Sequence, residues 1–419
     1  MTTNRRDLPF GYCTNVHAGL TLADAKANLE RIAVRVREFV VPQGRLPVGL
    51  WLPEPAARQL LAADDVARFA SWLSERALKP YTFNGFPQGD FHQNVVKHAV
   101  YEPSWLETAR VEYTCLLADI LAGLLPDQQT GSISTVPLGW PHRQWQDVDT
   151  RQAAANLRRV AHHLHAVAEH TGHEIVLAVE PEPGCVLDTA PDVVEFFEQY
   201  LFDDVSDIVR RHITVCHDIC HSAVMFEAQD DALQAYAEHG IRIGKLQVSS
   251  AVEVPWHEAH SDDHRQAMAA QLRAFNEPRY LHQTTRMGQP GGQVDLVEDL
   301  PAALDRWLPP SDTSHHRQST AIGQPTEPWR VHFHVPIYTE RFGLLKATRE
   351  DIALAIGSLD LRHDLQVAGR PWFTGDYEVE TYAWGVLPPD LQVSDLAYGI
   401  AQELKYFQSV LASARAGSS

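Results

Sequence analysis

The sequence predicts an α/β fold of the (β/α)₈ TIM-barrel kind, spanning residues 1–419 as a single domain, and three observations lead there. Short β-rich runs alternate with longer helical patterns from Phe10 onward. Polar residues able to do chemistry stand at the ends of those apolar runs, where a barrel keeps its reacting groups. No G-x-G-x-x-G follows the first run and no G-x-x-x-x-G-K occurs, so the doubly wound open sheet has no phosphate-binding fingerprint to support it.

The first unit is a strand at Phe10–His17 followed by a helix, because Leu22, Ala25, Leu29, Ile32, Ala33 and Val36 recur at helical spacing after Thr21, a suitable N-cap. Six more strands are expected at Val48–Leu52, Pro80–Phe83, Ile133–Val136, Ile175–Glu180, Ile213–Asp218 and Gly244–Ser249. Helical patterns separate them at Pro55–Glu75, Trp105–Leu125, Arg151–Glu169 and Asp192–Arg211, with another after His264. Three further candidates, Tyr280–Thr285, Arg330–Pro336 and Tyr377–Trp384, compete for the single place a closed barrel leaves. Pro309–Pro328, rich in Pro, Ser, Thr and Gln, reads as a loop. We therefore expect an insertion at 252–328 between strands seven and eight, covering the barrel mouth, with Tyr377–Trp384 as the eighth strand and Ser394–Ala414 as the closing helix.

A chain of 419 residues with 44% apolar residues can bury a large core. Its apolar runs, such as Ile175–Val179, fall far short of the roughly 20 residues of a membrane helix, so no direct membrane insertion is expected. Met1–Pro9 carries Arg5 and Arg6 without a following apolar h-region, which reads as cytoplasmic. The five cysteines lack C-x-x-C spacing and are expected as reduced thiols. A formal charge of −19 repels phosphate backbones and argues against a nucleic-acid partner.

The chemistry concentrates at successive strand ends. Glu180 and Glu182 close the fifth run, Asp218-x-x-His221 closes the sixth, Gln247 the seventh, and Glu378 and Glu380 lie on the eighth. Residues two apart share a strand face, so spacing alone does not choose between Glu180 and Glu182, nor between Glu378 and Glu380. His332 and His334 likewise share one face of Val331–Val335. Carboxylates, imidazoles and a neutral amide form an oxygen and nitrogen donor set suited to Mn²⁺, Mg²⁺, Zn²⁺ or Co²⁺. At the earlier strand ends stand His17, Trp51, Asn84 and Trp140, with His92 soon after; aromatic walls with polar tips suit a polyol or sugar-like small molecule.

At these residues the chain resembles the xylose-isomerase-like barrels, a group of sugar isomerases, ketose epimerases and the apurinic endonuclease termed endonuclease four. The strand end Leu177–Pro181, the Asp218-x-x-His221 pair and Glu380 are similar to their metal motifs. The resemblance implies a divalent metal on Glu180, Asp218 and Glu380. In the epimerases the seventh strand supplies a His in a His-Val-Ser context, where this chain has Gln247-Val248-Ser249. His334, or else His332, is then the candidate for the missing nitrogen. Segments Tyr12–His17, Asn84–Pro87, Phe91-His92, Ser132–Pro137, Val331–Pro336 and Glu380–Trp384 resemble the metabolite traffic protein EboE family over nearly the whole chain. That likeness implies a place in making or exporting a secondary metabolite, alongside pathway enzymes.

The implied activity is an isomerase or epimerase on a sugar, sugar phosphate or cyclitol-like metabolite, with Glu180 and Glu380 moving the proton. His17, His92, Glu182, His221, His332, Trp51 and Trp140 are the expected substrate contacts. Two alternatives stay open: a multi-metal phosphoester hydrolase of the endonuclease-four kind, and a non-catalytic metabolite-binding barrel in which Gln247 marks a lost site.

Overall fold

The computed structural model describes residues 7–62, 65–126, 129–142, 145–202, 207–288, 292–308 and 325–417. Seven strands follow one another as β1 (Phe10–Cys13), β2 (Leu46–Leu50), β3 (Leu78–Asn84), β4 (Gly131–Thr135), β5 (Ile175–Val179), β6 (Ile213–Asp218) and β7 (Ile243–Val248). After an inserted region, β16 (Tyr377–Val379) joins β7 on one side and β1 on the other. All eight pair in parallel and close a barrel in the order β1-β16-β7-β6-β5-β4-β3-β2. Phe10 opposite Tyr377 marks the closing seam.

Alternation along the strands sorts the side chains. Ile175, Leu177 and Val179 of β5, Ile213 and Val215 of β6, Leu246 and Val248 of β7, and Tyr377 and Val379 of β16 all belong to the apolar layer shared with the surrounding helices. The intervening residues turn inward, which puts Asp218, Gln247 and Glu378 inside the barrel, and places Glu180 and Glu380 on the same inner row just beyond their strands. Lys245 is also inside, 2.5 Å from Glu378, and both are fully buried. Gly49 leaves the space this pair needs, since a Cβ there would sit 1.3 Å from Glu378 Oε1.

The helices follow the sequence pattern with local differences. Thr21 caps the first, its Oγ1 accepting the Asp24 N–H at 3.1 Å while Asp24 accepts the Thr21 N–H at 3.0 Å. The expected helix Pro55–Glu75 is instead two, Glu54–Ala62 and Val66–Glu75. Likewise Asp192–Arg211 divides into a segment from Ala190 through a π turn at Phe197–Leu201, and a short helix Asp207–His212. The first and last expected strands stop early, at Cys13 and Val379. Beyond them the chain turns through Thr14–Val16 and Tyr382–Gly385.

Between β7 and β16 lies a second, six-stranded antiparallel sheet. Its strands are β8 (Val252–Val254), β9 (Thr284–Met287), β10 (Val294–Val297), β11 (Trp329–Val331), β12 (Arg341–Phe342) and β13 (Leu345–Ala347), arranged β10-β9-β11-β8-β13-β12. The sheet thus continues past Pro328, and the extra β candidates find their places here: Tyr280–Thr285 contributes β9 and Arg330–Pro336 overlaps β11. Most of the Pro309–Pro328 stretch lies outside the described residues. The sheet and the helices Asp262–Arg273 and Leu300–Trp307 bury their own apolar cluster, including Trp256, Leu272, Phe275, Trp307, Trp329 and Phe333. Each large apolar side chain buried there contributes about 1.5–3 kcal/mol, which lets this region hold its shape beside the barrel. A two-stranded ribbon, β14 (Gln366–Val367) and β15 (Arg370–Pro371), precedes β16.

Candidate metal centre

At the carboxyl ends of β5, β6 and β16 the structure brings Glu180, Asp218 and Glu380 together, with one oxygen of each within 4.8 Å of the others. Barrel closure does this: strands that are distant in sequence become neighbours, and their inner rows converge on one end. The surroundings pin one oxygen of Asp218 and one of Glu380. Asp218 Oδ1 accepts the Ser249 hydroxyl at 2.6 Å and the His221 N–H at 3.1 Å, whereas Oδ2 has no partner among the described residues. Glu380 Oε1 accepts the side-chain amides of Asn15 at 2.7 Å and Asn84 at 2.8 Å. Glu180 Oε2 is buried and unpartnered among the described residues.

Three imidazoles complete the cluster. His221 Nδ1 donates to Pro181 O at 2.8 Å, and His334 Nδ1 donates to Glu380 O at 2.8 Å. His332 Nδ1 donates to Gln283 Oε1 at 2.7 Å. With Nδ1 committed in each ring, Nε2 carries the lone pair, and such a second bond is the usual support of a metal-binding histidine. His334 Nε2 is unpartnered among the described residues and 3.9 Å from Asp218 Oδ2.

Burial is the largest influence on the carboxylates. It raises Glu180 well above the usual range, and the negative charges of Glu380 and Asp218 add to the effect. Glu380 is pushed up to about 8 by burial, Asp218 and Glu378. Burial also works on Asp218, but the rings of His221 and His334 and the Ser249 hydroxyl outweigh it and hold that carboxyl low. Desolvation takes His334 down to about 4 and His332 well below its ordinary value. A cation relieves this arrangement, since like charges gathered out of water oppose one another. The buried unpartnered oxygens and the aimed imidazole nitrogen therefore fit a divalent ion.

Glu380 lines the pocket above this cluster, together with Glu180, Glu182, His221, His332 and His334. Glu378, two residues earlier, lies deeper, where its charge is taken up by Lys245. Burial opposes a charge on Lys245, but Glu378 outweighs it and keeps the ammonium protonated. The opposite wall is apolar and aromatic, with Phe86, Phe91, Tyr101, Tyr280 and Tyr382. Lys97 is the pocket's one Lys or Arg among the described lining residues, and it is ion-paired with Asp299 of the inserted region.

Several expected substrate contacts lie behind this wall rather than in it. Trp51 donates its indole N–H to Pro87 O at 2.9 Å and packs edge-on against His92, 5.8 Å between centroids. His92 in turn donates through Nε2 to Asn15 O at 2.7 Å, and Asn15 holds Glu380. Trp140 stacks on Tyr101 at 5.1 Å, supporting a wall residue from outside. His17 is buried beside Tyr12, 3.3 Å from its hydroxyl, and burial takes its pKa down to about 3. None of the four is among the described lining residues. Gln247 is fully buried opposite Asp218 and Glu378, is not in the lining, and leaves both amide atoms unpartnered among the described residues.

Asn15, Tyr101, Gln283 and Tyr382 were not singled out in the sequence. Asn15 and Tyr382 sit inside segments already marked for family likeness, which was the available signal. Gln283 and Tyr101 meet Glu182 across long loops, at 2.9 and 2.7 Å, and no local pattern announces that contact.

No family model matches the chain, and no curated relative matches it either. Among solved structures it is similar to a xylose isomerase-like TIM barrel protein from Mycobacterium smegmatis in complex with magnesium, at 11% identity and a TM-score of 0.50, covering 97% of each chain. It is also similar to an L-ribulose 3-epimerase, at 12% identity and a TM-score of 0.48, covering 98% of this chain and 96% of the other. A zinc-bound IOLI protein is similar at 13% identity and a TM-score of 0.37, over 58% of this chain and 73% of the other. The first of these supports the fold alone: a closed TIM barrel similar to that of the xylose isomerase-like protein.

Proposed function

We propose that the protein is a divalent-metal-dependent isomerase or epimerase acting on a sugar or cyclitol-like metabolite. The observation that carries this reading is the convergence of Glu180, Asp218 and Glu380, with buried oxygens of Glu180 and Asp218 that have no hydrogen-bond partner among the described residues. Those three would hold the ion, with His334 as the nearest nitrogen and the Gln247 amide beneath them. A bound divalent ion would polarise a substrate carbonyl or hydroxyl.

The chain's own groups then have distinct tasks. Glu380, held by Asn15 and Asn84 and pushed up to about 8, is suited to take a proton from carbon and return it. Glu180, also raised, is placed to exchange a proton on the other side. The aromatic wall of Phe86, Phe91 and Tyr382 excludes water and presents flat apolar faces to the C–H face of a sugar ring. Since Lys97 is tied to Asp299, the pocket offers a phosphate group no free Lys or Arg among its described lining residues, which favours an unphosphorylated substrate. The EboE likeness supports a role in secondary-metabolite synthesis or export, next to pathway enzymes.

A hydrolase reading draws on the three imidazoles beside the carboxylates. The two are separated by incubating the chelator-treated, Mn²⁺-supplemented protein with ketoses, inositols and phosphate esters in D₂O. The expected result is deuterium at carbon next to a carbonyl, lost by roughly 10²–10⁴-fold in Glu380→Gln. Phosphate release without carbon exchange would favour hydrolysis, and neither reaction would favour a binding role.

A further inference from the structure

Beside the carboxylate cluster, His221 Nε2 and His332 Nε2 point at each other at 3.1 Å. In an ordinary pair of histidines one of these nitrogens donates and the other accepts. Here neither ring, when neutral, has a proton to spare for that contact. His221 Nδ1 faces the carbonyl oxygen of Pro181, which only accepts, so its proton is on Nδ1. Gln283 turns its amide nitrogen to the Glu182 carboxylate at 2.9 Å, so its oxygen is the atom facing His332 Nδ1 at 2.7 Å, and that proton is on Nδ1 too. When both rings are neutral they direct lone pairs at one another, and both residues are buried.

A third donor stands next to them. Glu182 belongs with His221 and His332 to a group whose ligand atoms lie within 4.8 Å of one another, and its hydrogen bonds from Tyr101 and Gln283 both run to Oε1. Two nitrogens on a tetrahedral zinc, each about 2.0–2.1 Å from the ion, lie roughly 3.3 Å apart, close to the separation found here. We infer that Glu182, His221 and His332 hold a second divalent cation, separate from the one proposed on Glu180, Asp218 and Glu380. The site shares no ligand with that centre, and His221 Nε2, which also lies 3.9 Å from Asp218 Oδ2, stands at the boundary between the two.

The donor chemistry also separates the two. Two imidazoles and one carboxylate favour Zn²⁺ or Co²⁺, whereas a set of three carboxylates with one imidazole accepts Mg²⁺ or Mn²⁺ more readily. The cation has a structural consequence as well. Glu182 and His221 follow barrel strands β5 and β6, while His332 follows β11 of the inserted sheet, so the ion fastens the insertion to the barrel beside the pocket.

Titration of the chelator-treated full chain with Co²⁺, read by bound metal and by visible absorption, tests this. The wild type should take up two equivalents, His332→Ala and Glu182→Gln one each, and the Glu180→Gln/Asp218→Asn variant one, with the intense visible bands of four-coordinate cobalt. Circular dichroism checks folding, and Glu182→Gln keeps the test usable where His332→Ala does not fold. Undiminished uptake in both His332→Ala and Glu182→Gln overturns the second site. A single wild-type equivalent lost in the carboxylate variant alone does so too, leaving the proposed function standing. A single equivalent lost in His332→Ala and kept in the carboxylate variant supports the second site and removes the first.

Discussion

Asp218 Oδ2 and His334 Nε2 lie 3.9 Å apart, and neither has a hydrogen-bond partner among the described residues. One comes from a barrel strand and the other from the segment after β11, so the pair joins the two sheets at a point where a positive ion would sit well. Burying such polar atoms unpaired costs about 1–3 kcal/mol each, and a site that leaves several of them together is poised for an ion.

The first prediction concerns the carboxylates. Glu180→Gln with Asp218→Asn should sharply lower bound Mn²⁺ while leaving the metal-free fold intact, because removing like charges relieves their mutual opposition. Thermal unfolding of the metal-free double variant should be equal to or above that of the wild type. A fall of tens of degrees would mark these residues as structural.

His334→Ala should weaken Mn²⁺ or ligand binding by roughly tenfold or more, with an unchanged circular dichroism spectrum. Isothermal titration would check it. Unchanged affinity would leave Gln247 as the nearest remaining neutral donor and favour a site that has lost its function.

The third prediction is about pH. Metal binding requires Glu380 as carboxylate, and burial with Asp218 and Glu378 holds it at about 8, so affinity should climb as pH rises toward 8 and binding should release protons. The linkage sign is that of an acid raised on folding. Its contribution to metal-free stability is full below the unfolded value of about 4.3 and is lost as pH rises through about 8, and added Mn²⁺ should restore it. Calorimetry in buffers of different ionisation enthalpy reads the protons released; zero release at pH 7 would contradict the assignment.

Much of this centre could be read along the chain because strand parity is local. The runs Ile175–Val179 and Ile213–Asp218 fix which face Glu180 and Asp218 take once the neighbouring aliphatic residues are committed to the helical layer. The choice of Glu380 over Glu378 could not be read, because both have the inner parity and Lys245, which neutralises Glu378, lies 133 residues earlier in another strand. Trp51 and Trp140 looked like a polyol wall by residue type, yet their ring partners His92 and Tyr101 come from the loop region after β3 and place them one shell behind. The inserted sheet was visible as surplus β candidates, but its order depends on long-range antiparallel pairing, such as Val331 with both Val252 and Thr284, which no local pattern encodes.

Gly49→Ala tests the barrel floor. A methyl group would fall on Glu378 Oε1 and drive it from Lys245, and disrupting a buried ion pair costs roughly 3–5 kcal/mol. Urea unfolding should show a loss of that order. A loss below about 1 kcal/mol would mean that the floor rearranges freely.

The most direct measurement of the central claim is an anomalous difference map from crystals soaked in Mn²⁺. The account predicts a peak at the carboxyl end of the barrel, within coordinating distance of Glu180, Asp218 and Glu380 together. A map with no peak there, or with the three carboxylates turned apart, would contradict it.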